Sequence, residues 1–402
     1  MKKAILQINT FINSRSTGHI AEEIGDLVIK HGWDSYIGFG RDEHFSVSTK
    51  IHIGNEFDVL IHGLHTRFLD NHGLASKIVT KKFIDIIKQI SPDIIHLHNI
   101  HGYYLNYKIL FDFLSKANIP VIWTLHDCWT FTGHCAYYDY IKCKKWQDGC
   151  FHCPLLKSYP RSFFDRSSKN WLDKRRSFTS LDNLLLVPVS NWLSKELSCS
   201  FLKDIPKKVI FNGVNLAIFK PVSSKKKQLG LNEKFIILGA ANVWEKRKGL
   251  YDFIELSKYI ASDMHIILIG LDEKQIKKLP ENIMGFKRTE DVKSLVDFYS
   301  TADVCLNLSS EETFGMTTVE AFACGTPGIV YNATASPELI TSDTGFVVEA
   351  GDVKNLYNSI LKIKNKGKSF YSKACIDRAR MFYDMDKNFL QYIDLYQKLL
   401  SK

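Results

Sequence analysis

The 402-residue sequence has no uninterrupted apolar run of about 18 residues, the length that a membrane-spanning helix needs. It also has no low-complexity tract and no repeat of the period that solenoids show. The chain begins like a signal peptide with Met1-Lys2-Lys3, but the short apolar stretch that follows is interrupted by Asn9 and Asn13. These absences exclude a spanning helix and a solenoid, and we expect a cytoplasmic protein.

Acidic residues are in deficit, since 43 Asp and Glu face 53 Lys and Arg, which gives a formal charge of +10. The composition of 45% hydrophobic, 12% aromatic and 24% charged residues is too apolar for a disordered chain and too varied for a coiled coil. A positive balance predicts an anionic partner. Nucleic acid, an acidic membrane surface and a phosphorylated small molecule all satisfy that requirement.

Short apolar runs alternate with amphipathic stretches along the whole chain, which is typical of βαβ units around a parallel sheet. The polar segment 216–231, which contains a proline and a run of serines and lysines, interrupts the alternation and is the predicted linker. The sequence therefore predicts an α/β fold of two Rossmann-like doubly wound domains, 1–215 and 216–384. Ligands bind such sheets at the carboxyl ends of the strands, so we expect the two domains to face a cleft.

The most informative stretch is SSEETFGMTTVEAFACGTP at 309–327, which follows a predicted strand and opens a predicted helix. Gly315 allows the backbone to approach a ligand, and the amides of the first helical turn, at Met316 and Thr317, form an anion site that suits phosphate. Glu320 lies within the helix, where a carboxylate can accept hydrogen bonds from a ribose diol. Glu312 lies in the preceding loop and is able to face a sugar.

This stretch strongly resembles the Glu-x7-Glu signature of the family 4 retaining glycosyltransferases, which have the GT-B architecture of two Rossmann-like domains. Four other segments resemble the family's motifs in the same order along the chain: Thr124-Leu125-His126-Asp127, Phe211-Asn212-Gly213-Val214-Asn215, Arg247-Lys248-Gly249 and Ala302-Asp303-Val304. The family has an arginine a few positions before its Lys-Gly element, where this chain has Ala241-Asn242-Val243, and Arg247 is taken as the replacement cation. The resemblance covers most of the chain.

The resemblance implies a role for each matching residue. Glu320 would bind the ribose of a nucleotide sugar, and Glu312 would contact the transferred sugar. Arg247 with Lys248 would neutralise the diphosphate, which is electrostatic stabilisation of the charge that develops on a leaving group. His126, at a strand end of the first domain, would face the sugar across the cleft. The final segment, 385–402, would form a helix that packs back on the first domain.

The implied activity is transfer of a sugar, with retention at the anomeric carbon, from a UDP- or GDP-sugar. The acceptor would be a glycan or a polyprenyl-linked oligosaccharide of bacterial surface polysaccharide synthesis, and no catalytic metal would be required. Two alternatives stay open. A GT-B nucleotide-sugar epimerase shares the architecture, and a zinc-stapled nucleic-acid-binding protein would account for the charge and the cysteines.

Four of the nine cysteines fall at Cys135-x7-Cys143-x6-Cys150-x2-Cys153. Four thiolates that include a Cys-x-x-Cys pair are the ligand set of a structural zinc. Free or redox-active thiols are the second interpretation, and disulfides are the third, because a cytosolic protein is kept reduced. The surrounding sequence resembles a polysaccharide-synthesis subgroup of the family, in which "HDxWxFTGxC" precedes a cysteine-rich insertion, here 128–160.

Two further patterns concern the first domain. The histidines of the run His96-Leu97-His98 share one strand face, and we expect them to line the cleft near the acceptor rather than to pack in the core. Basic residues form three clusters, which would attract a peripheral, anionic membrane surface as well as suit a solvated face. The clusters are Lys77, Lys81 and Lys82; Lys142, Lys144 and Lys145; and Lys169, Lys174, Arg175 and Arg176.

Overall fold

The computed structural model describes residues 2–289 and 291–401. The chain forms two compact units, one that ends at Ile210 and resumes at Phe389, and a second from Phe211 to Asn388. The domain boundaries drawn from the sequence, at 215 and 384, stay predictions and lie a few residues from these divisions. Met1 and Lys402, the outer ends of the predicted segments, lie outside the described residues.

The first unit contains a six-stranded sheet whose strand pairs are all parallel. Its strands are β1 (Ala4–Phe11), β2 (Asp34–Arg41), β3 (Thr49–His52), β4 (Ile94–Leu97), β5 (Val121–Leu125) and β6 (Leu184–Pro188). Their order is β3-β2-β1-β4-β5-β6. This is the Rossmann order, with its switch point between β1 and β4.

Helices lie in the connections between these strands, except between β2 and β3, which the loop 42–48 joins. They are α1 (Arg15–Lys30), α2 (Glu56–Leu69), α3 (Lys77–Ile90), α4 (Tyr107–Ala117), α5 (Ser167–Phe178) and α6 (Asn191–Ser198). Every residue of β4 and β5 is buried, which is the expected result for a sheet covered by helices on both faces.

The second unit repeats the arrangement. Its strands are β7 (Phe235–Ala240), β8 (Met264–Ile269), β9 (Ile283–Phe286), β10 (Val304–Asn307), β11 (Gly328–Tyr331) and β12 (Gly345–Val348), in the order β12-β11-β10-β7-β8-β9. All pairs are again parallel, and the switch point lies between β7 and β10. The helices are α7 (Leu250–Leu256), α8 (Glu273–Ile276), α9 (Val292–Thr301), α10 (Met316–Ala323), α11 (Val353–Lys366) and α12 (Lys368–Phe382).

The predicted α/β fold of two Rossmann-like domains is confirmed, although several short elements were not predicted, among them β3, β9 and β12. The predicted linker has no helix or strand, but it is bound to the second unit. The amides of Val222 and Lys225 donate to Ser300 and Thr301, and Leu231 belongs to the core of that unit.

The last helix, α13 (Met385–Leu400), contributes to the core of the first unit. The hydroxyl groups of Tyr392 and Tyr396 are buried beside β5 and β4, at hydrogen-bond distances from Thr124 (3.0 Å) and His96 (2.7 Å). No helix among the described residues has the length and apolarity to cross a bilayer.

Candidate functional site

The loops that follow β7 and β10 lie side by side in the second unit, at its switch point. The first loop contains a short 3-10 turn, Lys246–Lys248, and the backbone carbonyl of Arg247 in that turn accepts from the Ser310 amide at 2.8 Å. The Arg247 guanidinium donates to the Glu311 carbonyl at 3.1 Å. Gly249, at φ +75°, approaches the Leu308 carbonyl so closely that a Cβ would clash there. The two loops therefore form one surface.

Lys248 and Glu312 form an ion pair and hydrogen bond across these loops, and neither side chain is more than a fifth exposed. Burial lowers the pKa of Lys248 and is only partly opposed by Glu312. Burial alone would raise the pKa of Glu312, but Lys248 and Arg247 outweigh it, so the pKa lies below its ordinary value. Glu312 is thus held as an ionised carboxylate beside two cations, as a hydrogen-bond acceptor for a polar ligand.

A third loop, which follows β11, fixes the backbone of Glu312. The Glu312 amide donates to the Thr334 hydroxyl and the Glu312 carbonyl accepts from it, each at 2.7 Å. Thr334 has φ +50°, a left-handed conformation that is uncommon for a β-branched residue and has to be maintained by its surroundings. The sequence analysis missed Thr334. Its position after a buried strand places it at the edge of the sheet where neighbouring parallel strands end, but does not identify its partner.

Gly315 is the N-cap of helix α10, has φ +103° and would bring a Cβ against Leu339. Met316 and Thr317 follow as its first residues, and the first amides of a helix have no partner within that helix. The predicted anion site therefore has the backbone it requires, at the end of the strand next to β7.

Glu320 lies one turn further along α10, and its Oε2 accepts from the hydroxyl of the buried Tyr299 at 2.7 Å. Burial raises the pKa of Glu320, and the Tyr299 hydroxyl opposes this rise. The sequence analysis did not identify Tyr299, which orients the carboxylate. The structure thus brings Arg247, Lys248, Glu312 and Gly315 together and places Glu320 on the helix that Gly315 begins.

His126 lies in the first unit, directly after β5, and is almost fully buried. A chain of hydrogen bonds assigns the protons of its ring. The Gln7 amide nitrogen donates to Ala21, which leaves the amide oxygen of Gln7 to face Nε2 of His98 at 3.0 Å. That nitrogen must carry the proton, so Nδ1 of His98 accepts from Nε2 of His126 at 3.1 Å.

The proton on Nε2 leaves Nδ1 as the hydrogen-bond acceptor of the His126 ring. Burial lowers the pKa of His126 to about 4, against an opposing effect of Asp127. The ring is therefore neutral at pH 7 and contributes no charge to its surroundings.

Asp127 and His101 form a second polar group beside His126. Nε2 of His101 lies 2.8 Å from Oδ2 of Asp127, and Nδ1 lies 3.0 Å from the Tyr159 hydroxyl. Oδ1 of Asp127 accepts from the Trp129 amide. Burial would raise the pKa of Asp127, but His101 outweighs that effect and the pKa is below its ordinary value. An ionised aspartate therefore orients His101 and through it Tyr159.

The expectation that His96 and His98 line a cleft is wrong, because both are fully buried. His96 is bracketed by Tyr396 and Thr124, at 2.7 and 2.8 Å, and His98 by His126 and Gln7. Strand β4 is central in its sheet, so its side chains face covering helices on both sides.

Lys174, which the sequence analysis placed in a basic surface cluster, is also buried. Its ammonium donates to the carbonyls of Trp129 and Thr132, at 2.5 and 3.0 Å, and lies 3.5 Å from the centroid of the Trp129 ring. Burial lowers the pKa of Lys174 to about 7. Lys174 therefore stabilises the cysteine-rich insertion by buried hydrogen bonds and contributes no charge to the protein surface.

The four cysteines Cys135, Cys143, Cys150 and Cys153 all line one small cavity. The Gly133 amide donates to the sulfur of Cys150 at 3.1 Å, and none of the nine cysteines is in a disulfide. Across residues 2–289 and 291–401, no three His, Cys, Asp or Glu side chains are grouped so that they could hold a metal ion. The four cysteines share this cavity, no metal site is shown there, and the structural zinc stays a prediction.

Two family models match this chain, one over most of each unit. A model of Glycosyltransferase Family 4 matches residues 45–218, and a model of Glycosyl transferases group 1 matches residues 222–381. The putative colanic acid biosynthesis glycosyl transferase WcaC of Escherichia coli K12 is 22% identical, over 98% of this chain and 100% of its own. The alpha-monoglucosyldiacylglycerol synthase of Acholeplasma laidlawii is 25% identical, over 64% of this chain and 63% of its own.

Two solved structures share the fold. Sucrose-phosphate synthase from Thermosynechococcus elongatus superposes with a TM-score of 0.74 at 18% identity, over all of both chains. Anabaena HepE in complex with UDP-glucose superposes with a TM-score of 0.67 at 16% identity, over 98% of this chain and 99% of its own. The two adjoining family matches take in most of the sequence, and the motifs they contain meet at the switch point of the second sheet. The chain therefore belongs to the family 4 glycosyltransferases and has their GT-B fold.

Proposed function

We propose that the protein is a retaining glycosyltransferase that moves a sugar from a UDP- or GDP-sugar to a glycan or a polyprenyl-linked oligosaccharide in bacterial surface polysaccharide synthesis. The observation that carries the proposal is the buried Lys248–Glu312 pair beside Arg247, at the switch point where a nucleotide is bound in this kind of sheet. The name of WcaC supports the polysaccharide pathway, and the UDP-glucose complex of HepE supports a nucleotide-sugar donor.

Each of the predicted site residues in the second unit has a role in donor binding. Glu320, oriented by Tyr299, accepts hydrogen bonds from the ribose hydroxyl groups with its second oxygen. The amides of Met316 and Thr317 bind the diphosphate at the start of α10. Arg247 and Lys248 neutralise its charge, and the ionised Glu312 accepts hydrogen bonds from hydroxyl groups of the transferred sugar.

In the transfer step, the bond between the anomeric carbon and the β-phosphate oxygen breaks, and the bond from the acceptor hydroxyl oxygen to that carbon forms on the same face. The acceptor proton passes to the departing phosphate oxygen, so nucleoside diphosphate leaves. Negative charge grows on the diphosphate as the bond breaks. Lys248 and Arg247 are held beside the diphosphate before the reaction, so they lower the activation free energy of transfer without having to move.

His126 binds a sugar hydroxyl in this proposal. Because its ring is neutral and carries its proton on Nε2, Nδ1 accepts from the hydroxyl and orients the sugar. A neutral ring also avoids repulsion of the positive charge that develops at the anomeric carbon.

Thermal unfolding in the presence of UDP-, GDP- and ADP-sugars tests donor binding. A ligand that binds only the native state raises the melting temperature, and at about 100 times its Kd it adds about 2.7 kcal/mol of stability. We expect one nucleotide class to stabilise the protein and Glu320→Ala to remove that stabilisation. Absence of a shift with all three classes would count against the proposal, and an unchanged shift in Glu320→Ala would remove the ribose role. The anomeric configuration of the product, read by NMR, tests retention.

The zinc prediction has its own test. We expect elemental analysis of the purified protein to find about one zinc per chain, because four thiolates form a complete tetrahedral set. The variant Cys150→Ser with Cys153→Ser should lose the metal, while Cys199→Ser, at an exposed cysteine outside the cavity, should retain it. A stoichiometry near zero in freshly reduced wild-type protein would contradict the prediction and favour free thiols.

A further inference from the structure

Helix α2 presents a stripe of apolar side chains to solvent, and its two buried residues, His62 and Thr66, are polar. Phe57, Leu60, Leu64 and Phe68 recur at the spacing of one helical face and are all exposed, Phe57 by 68% and Leu60 by 58%. Ile61 widens the same stripe. A helix on the surface of a soluble domain ordinarily has the opposite arrangement, and an exposed apolar patch of this extent marks an interaction surface.

Polar contacts hold the helix in this orientation. The buried His62 lies 2.8 Å from the Ser76 hydroxyl through Nδ1 and accepts from the Gly73 amide through Nε2 at 3.0 Å. Thr66, also buried, donates to the His62 carbonyl. A capping box between Asn55 and Asp58 fixes the start of the helix. His62 is thus bonded to residues outside the helix, and rotation of the apolar stripe inward would break these two contacts.

The loop 162–164 extends the apolar face at the end of α2. The Phe163 amide donates to the Arg67 carbonyl at 2.8 Å, and the Phe163 ring lies 5.6 Å from that of Phe68. Phe163 and Phe164 are each more than 60% exposed. We call α2 together with this loop the α2 face.

Cations border the α2 face at its carboxyl-terminal end. The Arg67 guanidinium lies 5.4 Å from the Phe163 ring centroid, and the exposed Arg161 directly precedes the loop 162–164. The neighbouring helix α3 begins with the exposed cluster Lys77, Lys81 and Lys82, beside Ser76, which is bonded to α2.

The carboxylates of α2, Glu56 and Asp58, are confined to its first turn, away from these cations, and Asp58 is engaged by the capping box. The helix therefore combines an exposed apolar stripe with positive charge along one end. That combination is the one by which amphipathic helices bind at the interface of a membrane rich in anionic lipids.

We propose that the α2 face docks the protein on an anionic lipid bilayer, with the apolar stripe among the acyl chains and the arginines and lysines against the headgroup phosphates. A second copy of the chain is the less favoured occupant, because a symmetric pair would bring the same arginines and lysines of both copies together, and like charges repel. The proposal deepens the proposed function, since a lipid-linked acceptor would be presented at the same surface. Its test requires no transfer reaction.

Flotation with vesicles tests the proposal. We expect the full-length protein to bind vesicles of phosphatidylethanolamine with about 30 mol% phosphatidylglycerol and to bind pure phosphatidylcholine vesicles much more weakly. The variant Phe57→Ser, Leu60→Gln, Leu64→Gln, Phe68→Ser should lose at least about tenfold in partition coefficient, because it removes the inserted apolar area. All four side chains are exposed, so this variant should retain the fold.

A matched control replaces exposed apolar residues elsewhere. Phe370→Ser with Met381→Gln, both on α12, removes similar side chains from another surface and should leave vesicle binding unchanged. The triple variant Lys77→Gln, Lys81→Gln, Arg161→Gln should retain weak binding but lose the preference for phosphatidylglycerol.

Several outcomes would overturn the proposal. They are wild-type protein that does not float, a stripe variant that binds as well as wild type, and a dimer, seen by light scattering, that the stripe variant dissociates. The last result would assign the α2 face to a second copy. Nucleotide-sugar stabilisation is measured on the same variants, so a failure of membrane binding with intact donor binding leaves the proposed function standing.

Discussion

Lys248→Ala is expected to lower kcat about 10²- to 10³-fold, with a smaller effect on KM for the donor. The range is what removal of one fixed electrostatic group costs when that group acts on charge that develops in the transition state. Lys248 is well placed for such an effect because it is largely buried and paired, so no solvent cation can replace it. Steady-state kinetics with the donor identified by thermal unfolding measures both constants.

The same substitution leaves Glu312 without its partner. A buried carboxylate that loses its cation costs several kcal/mol or takes up a proton, so the pKa of Glu312 should rise and its ability to accept hydrogen bonds should fall. Lys246→Ala is the matched control, because Lys246 lies in the same 3-10 turn but is exposed. A Lys248→Ala enzyme with wild-type kcat, or a Lys246→Ala enzyme with the same loss, would exclude the specific role of Lys248.

The sequence predicted the donor-side motifs well because they consist of short segments at the ends of buried strands. The apolar runs that become β7 and β10 are easily recognised, and their loops carry Lys248 and Glu312. What periodicity could not supply was the partners from other elements. Tyr299 and Thr334 contact Glu320 and Glu312 only because β10, β11 and α9 meet in three dimensions, and neither position is unusual in the sequence.

The errors in the first unit have one physical cause. His96, His98 and Lys174 carry polar atoms that the sequence analysis assigned to surfaces, and the fold buries all three with hydrogen-bond partners. Burial of a polar group is tolerated where partners are fixed around it, and those partners lie far away in the sequence, as Tyr396 does for His96. The outward stripe of α2 is the reverse case, since an amphipathic period shows that a helix has an apolar face but not which way it points.

The buried histidines make the first unit sensitive to acid, and we expect it to unfold at about pH 5. Burial lowers the pKa of His62 and His96 to about 3 and that of His126 to about 4, and it lowers the pKa of His72 and His98 well below the ordinary value. Desolvation disfavours the charged ring, and some partners forbid the extra proton outright. Nε2 of His62 accepts from an amide, so a proton there would break that bond.

The direction of the pH effect follows from proton counting. In the unfolded chain these histidines have a pKa of about 6.5, so between that pH and the folded pKa the unfolded state binds more protons. Stability is complete above about pH 6.5 and is lost as the pH falls. Below pH 6.5, each such histidine lowers the free energy of unfolding by about 1.4 kcal/mol per pH unit. The three histidines with pKa values of 3 to 4 together lower it by about 6 kcal/mol at pH 5, which is comparable with the whole stability of a domain.

Urea unfolding at pH 7, 6 and 5, followed by circular dichroism, measures this loss. His62→Gln should reduce the slope of the free energy of unfolding against pH by about 1.4 kcal/mol per pH unit, the contribution of one proton. Glutamine can still accept from the Gly73 amide, but it does not titrate. The second unit contains His265 alone of the 14 histidines, so its donor binding should survive to lower pH than the fold of the first unit. A free energy of unfolding that stays constant from pH 7 to 5 would show that the buried rings are protonated in the folded protein.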